Sequence, residues 1–360
     1  MEITFYSLSI LLIFASLIPL IENQHWFFRI FDFGKVQILI LQLIVFIAAF
    51  FVIPIKTEFY IIQIALLGCM IYEIYLLYPY TPFYKIEKKV KTERSSESIK
   101  IISTNVYQFN KEYDCFLKFL QHENPDIILT MESNKDWEDA LQALKPNYPY
   151  FCEIALENTY GMHLYSKIEM TNCQKHYFVA DDIPSIEATF KTKDSFEFVF
   201  FGVHPPPPSP TEEENAKERD GELLSVAKKV KQNHKPTIVI GDFNNVAWAK
   251  SSVLFRKTSE TIDPRIGRGF ISTFHAKYRL LRFPIDQMFH TTDIFVEELK
   301  AMETIGSDHL PLYCKFFIDK RNDDQEDLVE HLEKDDREEV SEMIAEGKAE
   351  ESDREAVVTE

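Results

Sequence analysis

Six places in this sequence put an acid, an amide or an imidazole directly after or before an apolar run. Asn105 closes Ile101-Ile102-Ser103-Thr104, and Glu132 follows Ile127-Ile128-Leu129-Thr130-Met131. His204 follows Phe198-Val199-Phe200-Phe201-Gly202-Val203, and Asp242 and Asn244 follow Thr237-Ile238-Val239-Ile240-Gly241. Asp286 follows Phe283-Pro284-Ile285, and Asp308 and His309 precede Leu310-Pro311. Singly, each has a plain explanation, because Asn, Asp and Ser are ordinary turn residues. Together they suit a site built at one edge of a sheet, where loops collect polar groups. Such a set suits phosphoryl transfer, which needs a metal, a positioned nucleophile and hydrogen-bond donors. Glu132, Asp308 and Asn105 supply oxygens that a hard cation needs. The remaining groups can position a nucleophile and stabilise developing charge.

These residues need elements to hold them. Short β-rich runs are expected over 99–106, 126–130, 160–166, 185–192, 196–203, 237–240, 285–290 and 310–318. Helical patterns run over 113–122, 136–144 and 213–232. Adjacent strands with few helices between them predict an α/β (α+β) domain of two face-to-face sheets with helices outside, over 99–318.

Ahead of this domain lie three apolar stretches near bilayer-spanning length, at about 3–21, 36–55 and 59–78. Tyrosine and tryptophan gather toward their ends, as at a membrane interface. The first lacks a positive n-region and a small-residue cleavage site, so it is expected to be a retained helix and not a signal peptide. Arg29, Lys35, Lys85, Lys88, Lys89, Lys91 and Arg94 flank one side, against Lys56 on the other. That bias places the 99–318 domain in the cytoplasm, anchored to a membrane by the three stretches. Residues 81–98 read as a basic linker suited to anionic headgroups.

Charge is unevenly distributed. Of the formal −18, the tail 319–360 carries −12, and 95–318 carries only −7. A mildly acidic domain argues against gripping long duplex DNA by charge alone. The tail reads as solvated or disordered, with a weakly amphipathic helix as the alternative over 325–346. Within 256–282 the balance reverses to seven Lys+Arg against two acids. Arg265 and Arg268 there, with Arg219 on the preceding helix, are candidates to contact phosphate. The five cysteines lack metal-ligand spacing and are expected as reduced thiols, with a pairing among Cys115, Cys152, Cys173 and Cys314 left open.

The segments Ser103-Thr104-Asn105, Leu129-Thr130-Met131-Glu132, Tyr160-Gly161-Met162, Gly202-Val203-His204, Gly241-Asp242-Phe243-Asn244, Pro284-Ile285-Asp286 and Gly306-Ser307-Asp308-His309-Leu310-Pro311 resemble, in order and spacing, the motif set of the endonuclease/exonuclease/phosphatase superfamily. The resemblance covers about 99–318 and is to bacterial-type members, which implies a bacterial inner (plasma) membrane for the anchor. It implies a four-layer α/β/β/α sandwich like deoxyribonuclease I. It further implies Glu132 as the main Mg²⁺ (or Mn²⁺) ligand, with Asn105 and Asp308 near the same ion. Asp242 would orient or deprotonate the attacking water, and Asn244 would bond the phosphate. His309, oriented by Asp286, would stabilise the transition state. His204 would be a second phosphate-side donor, and Tyr160 would shape the pocket.

The expected activity is therefore metal-dependent hydrolysis of a phosphate ester, with nucleic acid and lipid headgroup as the competing substrates. A different class, a catalytically silent membrane scaffold binding a protein partner through its acidic tail, would predict a missing catalytic position. None is missing.

Overall fold

A computed structural model describes residues 1–85, 96–319, 325–352 and 354 of the chain. Most of the basic linker, including Lys88, Lys89, Lys91 and Arg94, lies outside the described residues. The chain opens with α1 (Glu2–Leu17), a short α2 (Trp26–Phe33), α3 (Lys35–Val52) and α4 (Thr57–Leu77). Three helices, Glu2–Leu20, Lys35–Val52 and Thr57–Tyr80, are long and apolar enough to cross a membrane. Their outward faces carry exposed Ile10, Ile44 and Ile64, whereas Ser16, Gln42 and Glu73 hydrogen-bond at the centre of the bundle. Buried polar groups that satisfy one another fix how the three helices pack. The connection between the first two candidate spans thus contains a helix of its own.

The remaining elements are β1 (Ile99–Asn105), α5 (Tyr113–Glu123), β2 (Ile127–Met131), α6 (Lys135–Leu141), β3 (Tyr150–Ile154), β4 (Met162–Ser166), β5 (Glu169–His176), β6 (Ser185–Lys191), β7 (Glu197–Val203), α7 (Lys217–Lys231), β8 (Thr237–Asp242), α8 (Lys250–Ser259), β9 (Asp286–His290), β10 (Ile294–Ala301), β11 (Leu312–Ile318) and α9 (Lys334–Ala349). They form a six-stranded sheet, in the order β10-β11-β1-β2-β4-β3, and a five-stranded sheet, in the order β5-β6-β7-β8-β9. The inner faces meet through Ile101, Leu129, Leu164, Phe190, Phe198, Phe200, Ile240 and Phe316. Outside, α5 and α6 cover the first sheet around Phe116 and Trp137, and α7 and α8 cover the second around Phe201, Phe243 and Phe255. The architecture is two mixed sheets flanked by helices.

Topology explains the clustering of the polar residues. The only parallel pairs among the described strands are β1 with β2 and β7 with β8. Parallel neighbours share a C-terminal edge, so Asn105, Glu132, His204 and Asp242 emerge on one rim. Strand β9 runs antiparallel to β8 and starts there, with Asp286 directly opposite Asp242. Segment 306–309, leading into β11, arrives at the same rim.

Two expectations are corrected. The tail is not a solvated appendage: α9 buries Val340 and Met343 against Leu224 and Leu254. Its Gly347 meets Gly221 of α7 so closely that a Cβ there would lie 2.6 Å from the Lys217 carbonyl oxygen. Beyond it, Arg354 reaches Asp182, Glu213 and Glu218. A fragment ending at 318 would uncover this apolar surface. The second correction is a disulfide between Cys152 of β3 and Cys173 of β5, which joins the edge strands of the two sheets. Cys69, Cys115 and Cys314 are free.

Candidate active site

The floor of the site is a chain of contacts across the two sheets. Asn105 Nδ2 donates to Glu132 Oε1 at 2.7 Å and lies 3.3 Å from Asp242 Oδ2. That same Asp242 oxygen is 3.5 Å from His309 Nε2, and His309 Nδ1 is 2.9 Å from Asp286 Oδ2. His204 Nε2 stands 3.9 Å from Asp242. Asp242 therefore sits at the centre, with Glu132 on one flank and the His309–Asp286 pair on the other.

Local backbone is bent to make this possible. Glu132 and Asn244 both adopt left-handed φ, at 56° and 48°. Non-glycine residues in this region carry strain that persists only when the surroundings over-determine it, a frequent condition at functional sites. Asn244 is held by its own N–H donating to Asp242 Oδ1, by its Nδ2 donating to the Pro205 carbonyl, and by Arg219 Nη1 donating to its carbonyl. Glycine is required just before Asp242, where a Cβ on Gly241 would fall 2.0 Å from the Val203 carbonyl oxygen. Gly306 has φ 91° and sets up the turn in which Ser307 Oγ donates to the Asn105 carbonyl and accepts from His309 N–H.

Electrostatics separate the two histidines. His204 is buried, and burial pushes its pKa down to about 4 against the pull of Asp242. His309 is equally buried, yet Asp286 and Asp242 overcome that penalty and hold its pKa up at about 10. One imidazole is neutral at pH 7 and the other is a cation. Burial raises Asp242, with His309 opposing, and raises Glu132 to about 7 despite the Asn105 hydrogen bond. Glu132 keeps part of its surface open to the cleft, so protein atoms crowd its carboxylate while a face remains accessible.

The donor set suits a hard divalent cation. Glu132 and Asp308 both line the cleft, and Asp308 further raises Glu132 by like charge, a conflict that a bound cation would relieve. Asn105 is placed differently from expectation. Its oxygen accepts from Tyr107 N–H, and its nitrogen faces Glu132, so it orients that carboxylate. Asp242, Asp286 and His309 also present ligand atoms within 4.8 Å of one another, although His309 Nδ1 and Asp286 Oδ2 are already engaged with each other.

Residues 102–309, more than half of the chain, match the endonuclease/exonuclease/phosphatase family. The chain belongs to that family. Solved structures agree on the fold. A Bacteroides thetaiotaomicron endonuclease/exonuclease/phosphatase family protein superposes with a TM-score of 0.53 at 20% identity, covering 64% of this chain and 98% of its own. D. rerio TDP2 complexed with single-strand DNA product gives 0.53 at 17%, covering 61% and 99%. A mannosyl-6-phosphatase from B. thetaiotaomicron gives 0.52 at 19%, covering 61% and 100%. No curated protein matches the chain by sequence. The family is one of phosphoesterases and nucleases, and this member is accordingly an enzyme of phosphate ester hydrolysis.

For this endonuclease/exonuclease/phosphatase domain the structure brings together Glu132, Asn105, Asp242, Asn244, Asp286, His204, Asp308 and His309. Tyr160 also lines the cleft, as a residue that shapes it. Its hydroxyl donates to Glu212 at 2.9 Å, its ring packs on His204, and the Arg354 guanidinium stacks on it 5.4 Å away. None of the three candidate phosphate-binding arginines lines the cleft. Arg265 is buried on Asp263 and Gln287. Arg268 donates to the Pro264 and Val296 carbonyls. Arg219 pairs with Asp220 and braces Asn244 from behind. Charge counting could not foresee this, because a guanidinium and its buried partner look alike in sequence whether they face inward or outward. Sequence reasoning missed the opposite wall of the cleft, formed by Trp26, Arg29, Ile30, Phe33, Gly34 and the prolines at 207, 208 and 210. The amphipathic spacing of 26–33 was the available signal.

Proposed function

We propose that this chain is a membrane-anchored, divalent-metal-dependent hydrolase of phosphate esters. The observation that carries it is the central position of Asp242, bridged to the Glu132 flank through Asn105 and to the His309–Asp286 flank directly. Glu132 and Asp308 would hold Mg²⁺ or Mn²⁺, which would neutralise phosphate charge when bound. Asp242 accepts a proton from the attacking water as its oxygen bonds to phosphorus. The ester P–O bond breaks, and the departing oxygen takes a proton from His309, whose imidazolium Asp286 holds in place. Neutral His204 and Asn244 line the same cleft on the phosphate side. The three apolar helices support anchoring, and the Trp26 N–H bond to the Glu214 carbonyl puts the 22–34 segment on the same side as the catalytic domain.

The test uses the full chain in detergent, because α9 and α2 both pack on the catalytic domain. Bis-(p-nitrophenyl) phosphate should be hydrolysed with Mg²⁺ or Mn²⁺ and stop with EDTA. Glu132→Gln should need far more metal for half-activation. Equal turnover in EDTA, or an unchanged metal requirement in the variant, contradicts the proposal.

A further inference from the structure

The helix between the first two candidate spans has an unusual position. Trp26, Ile30 and Phe33 on α2 form one wall of the same cleft, about 630 Å³, whose floor holds Glu132, Asp242 and His309. This wall is fixed in place. Ala216 N–H donates to the Gln24 carbonyl at 2.8 Å, Trp248 Nε1 donates to the Asp32 carbonyl at 2.7 Å, and Phe33 packs edge-on against Phe283 at 5.9 Å. Helices α1 and α3 continue from either end of the 18–34 segment, so the mouth of the cleft lies where the candidate spans leave the bilayer. A second feature marks the same level. Gln37, in the first turn of α3, donates to the Leu280 carbonyl, and Leu280 and Leu281 project beside it, 86% and 56% exposed. Apolar side chains displayed next to membrane-spanning helices, with Arg279 and Arg282 flanking them, fit an interface with lipid better than one with water.

We propose that the cleft takes an amphiphilic phosphate ester from the bilayer, with its phosphate on the Glu132–Asp242–His309 floor and its hydrocarbon portion along Trp26, Ile30 and Phe33. This inference rests on the hydrolase reading and narrows its substrate. Continuity carries it: one cavity joins the polar floor to an apolar wall that is itself part of the membrane-anchoring segment. Ile30 is half-exposed although apolar, and a hydrocarbon chain would cover it. A nucleic acid fits less well. Its backbone would meet Glu212, which lines the cleft, and Glu214 beside Trp26, and like charge repels a polyanion.

The experiment uses the full chain with Mg²⁺ and a series of alkyl p-nitrophenyl phosphate diesters, ethyl to octyl, below their micelle-forming concentrations. In each, water adds to phosphorus and nitrophenolate leaves. The expected kcat/KM rises at least about thirtyfold from ethyl to octyl, mainly through KM, because each buried methylene favours binding severalfold. Ile30→Asp should cut the octyl-to-ethyl ratio at least about fivefold. A bromine-bearing octylphosphonate should quench tryptophan fluorescence in the wild type, and Trp26→Phe should remove most of that quenching. A flat chain-length profile with the ethyl ester still cleaved overturns the inference and leaves the hydrolase reading standing. Failure to cleave any ester overturns both. Preference for a short oligonucleotide over the octyl ester overturns the inference in favour of nucleic acid.

Discussion

The two walls of the cleft differ in origin and in what they can do. The floor comes from strand ends of both sheets, and its members are buried or half-buried, linked by hydrogen bonds and held by strained backbone at Glu132 and Asn244. The opposite wall comes from α2, more than 70 residues earlier in the chain, and apart from Arg29 is apolar and partly exposed. A rigid polar floor fixes the reaction, because charge stabilisation depends on preorganised groups. An apolar wall discriminates among molecules that carry the reacting group. On the proposal made above, the same fold would keep its chemistry while the N-terminal segment would set its substrate.

The comparison is broken most severely at the floor. His309→Ala should lower kcat by about 10³-fold, near the middle of the range for a general acid, measured with the full chain on a soluble diester. Asp286→Asn should cost about 10–100-fold, as loss of an orienting carboxylate does. It should also move the alkaline limb of the pH–rate profile downward from about 10 toward the ordinary histidine value. The sign for stability follows. The folded pKa of His309 lies above its unfolded value of about 6.5, so its charge stabilises fully below pH 6.5, and that contribution fades as pH rises through about 10. Asp286→Asn should flatten this alkaline loss in thermal melts.

Other changes test the scaffold without touching the wall. Arg265→Met leaves Asp263 buried and unpaired and should destabilise by about 3–5 kcal/mol, seen as a lower denaturant midpoint. A phosphate-binding arginine would instead raise KM with no loss of stability. The smallest expected effect is metal-dependent. Because burial raises Glu132 to about 7, Mg²⁺ should stabilise the wild type by about 2.7 kcal/mol at a hundredfold excess over Kd. The gain should shrink below pH 7, where the carboxylate takes up a proton, and disappear in Glu132→Gln.

Much of the floor was legible in the sequence. Apolar runs ending in Asn105, Glu132, His204 and Asp242 read as buried strands, and parallel pairing brings such ends together. The edge strands β5 and β10 were not legible. Strand β5 is largely exposed, so Glu169–His176 carries no apolar alternation, and the Glu297-Glu298-Leu299-Lys300 run of β10 reads equally as helix. Helix α9 was legible only as an alternative over 325–346, and the Cys152–Cys173 pair only as one of several open pairings, because both are decided by tertiary neighbours that no local pattern records. Placement relative to the membrane has its own test. Basic flanks predict a cytoplasmic catalytic domain, whereas the Cys152–Cys173 disulfide suits an oxidising compartment. If the basic flanks decide, exposed Cys115 should resist an impermeant maleimide in intact cells and react after lysis. Labelling of intact cells reverses the orientation.

The most direct measurement is the turnover of Asp242→Asn, a change that keeps shape and removes only the charge and the proton acceptor. With saturating Mg²⁺ and a soluble phosphodiester, the full-length variant should fold, retain its thermal midpoint within a few degrees and lose about 10³-fold or more in kcat. A folded Asp242→Asn protein that turns over within tenfold of the wild type would contradict the assignment of the strand-edge cluster as the catalytic centre.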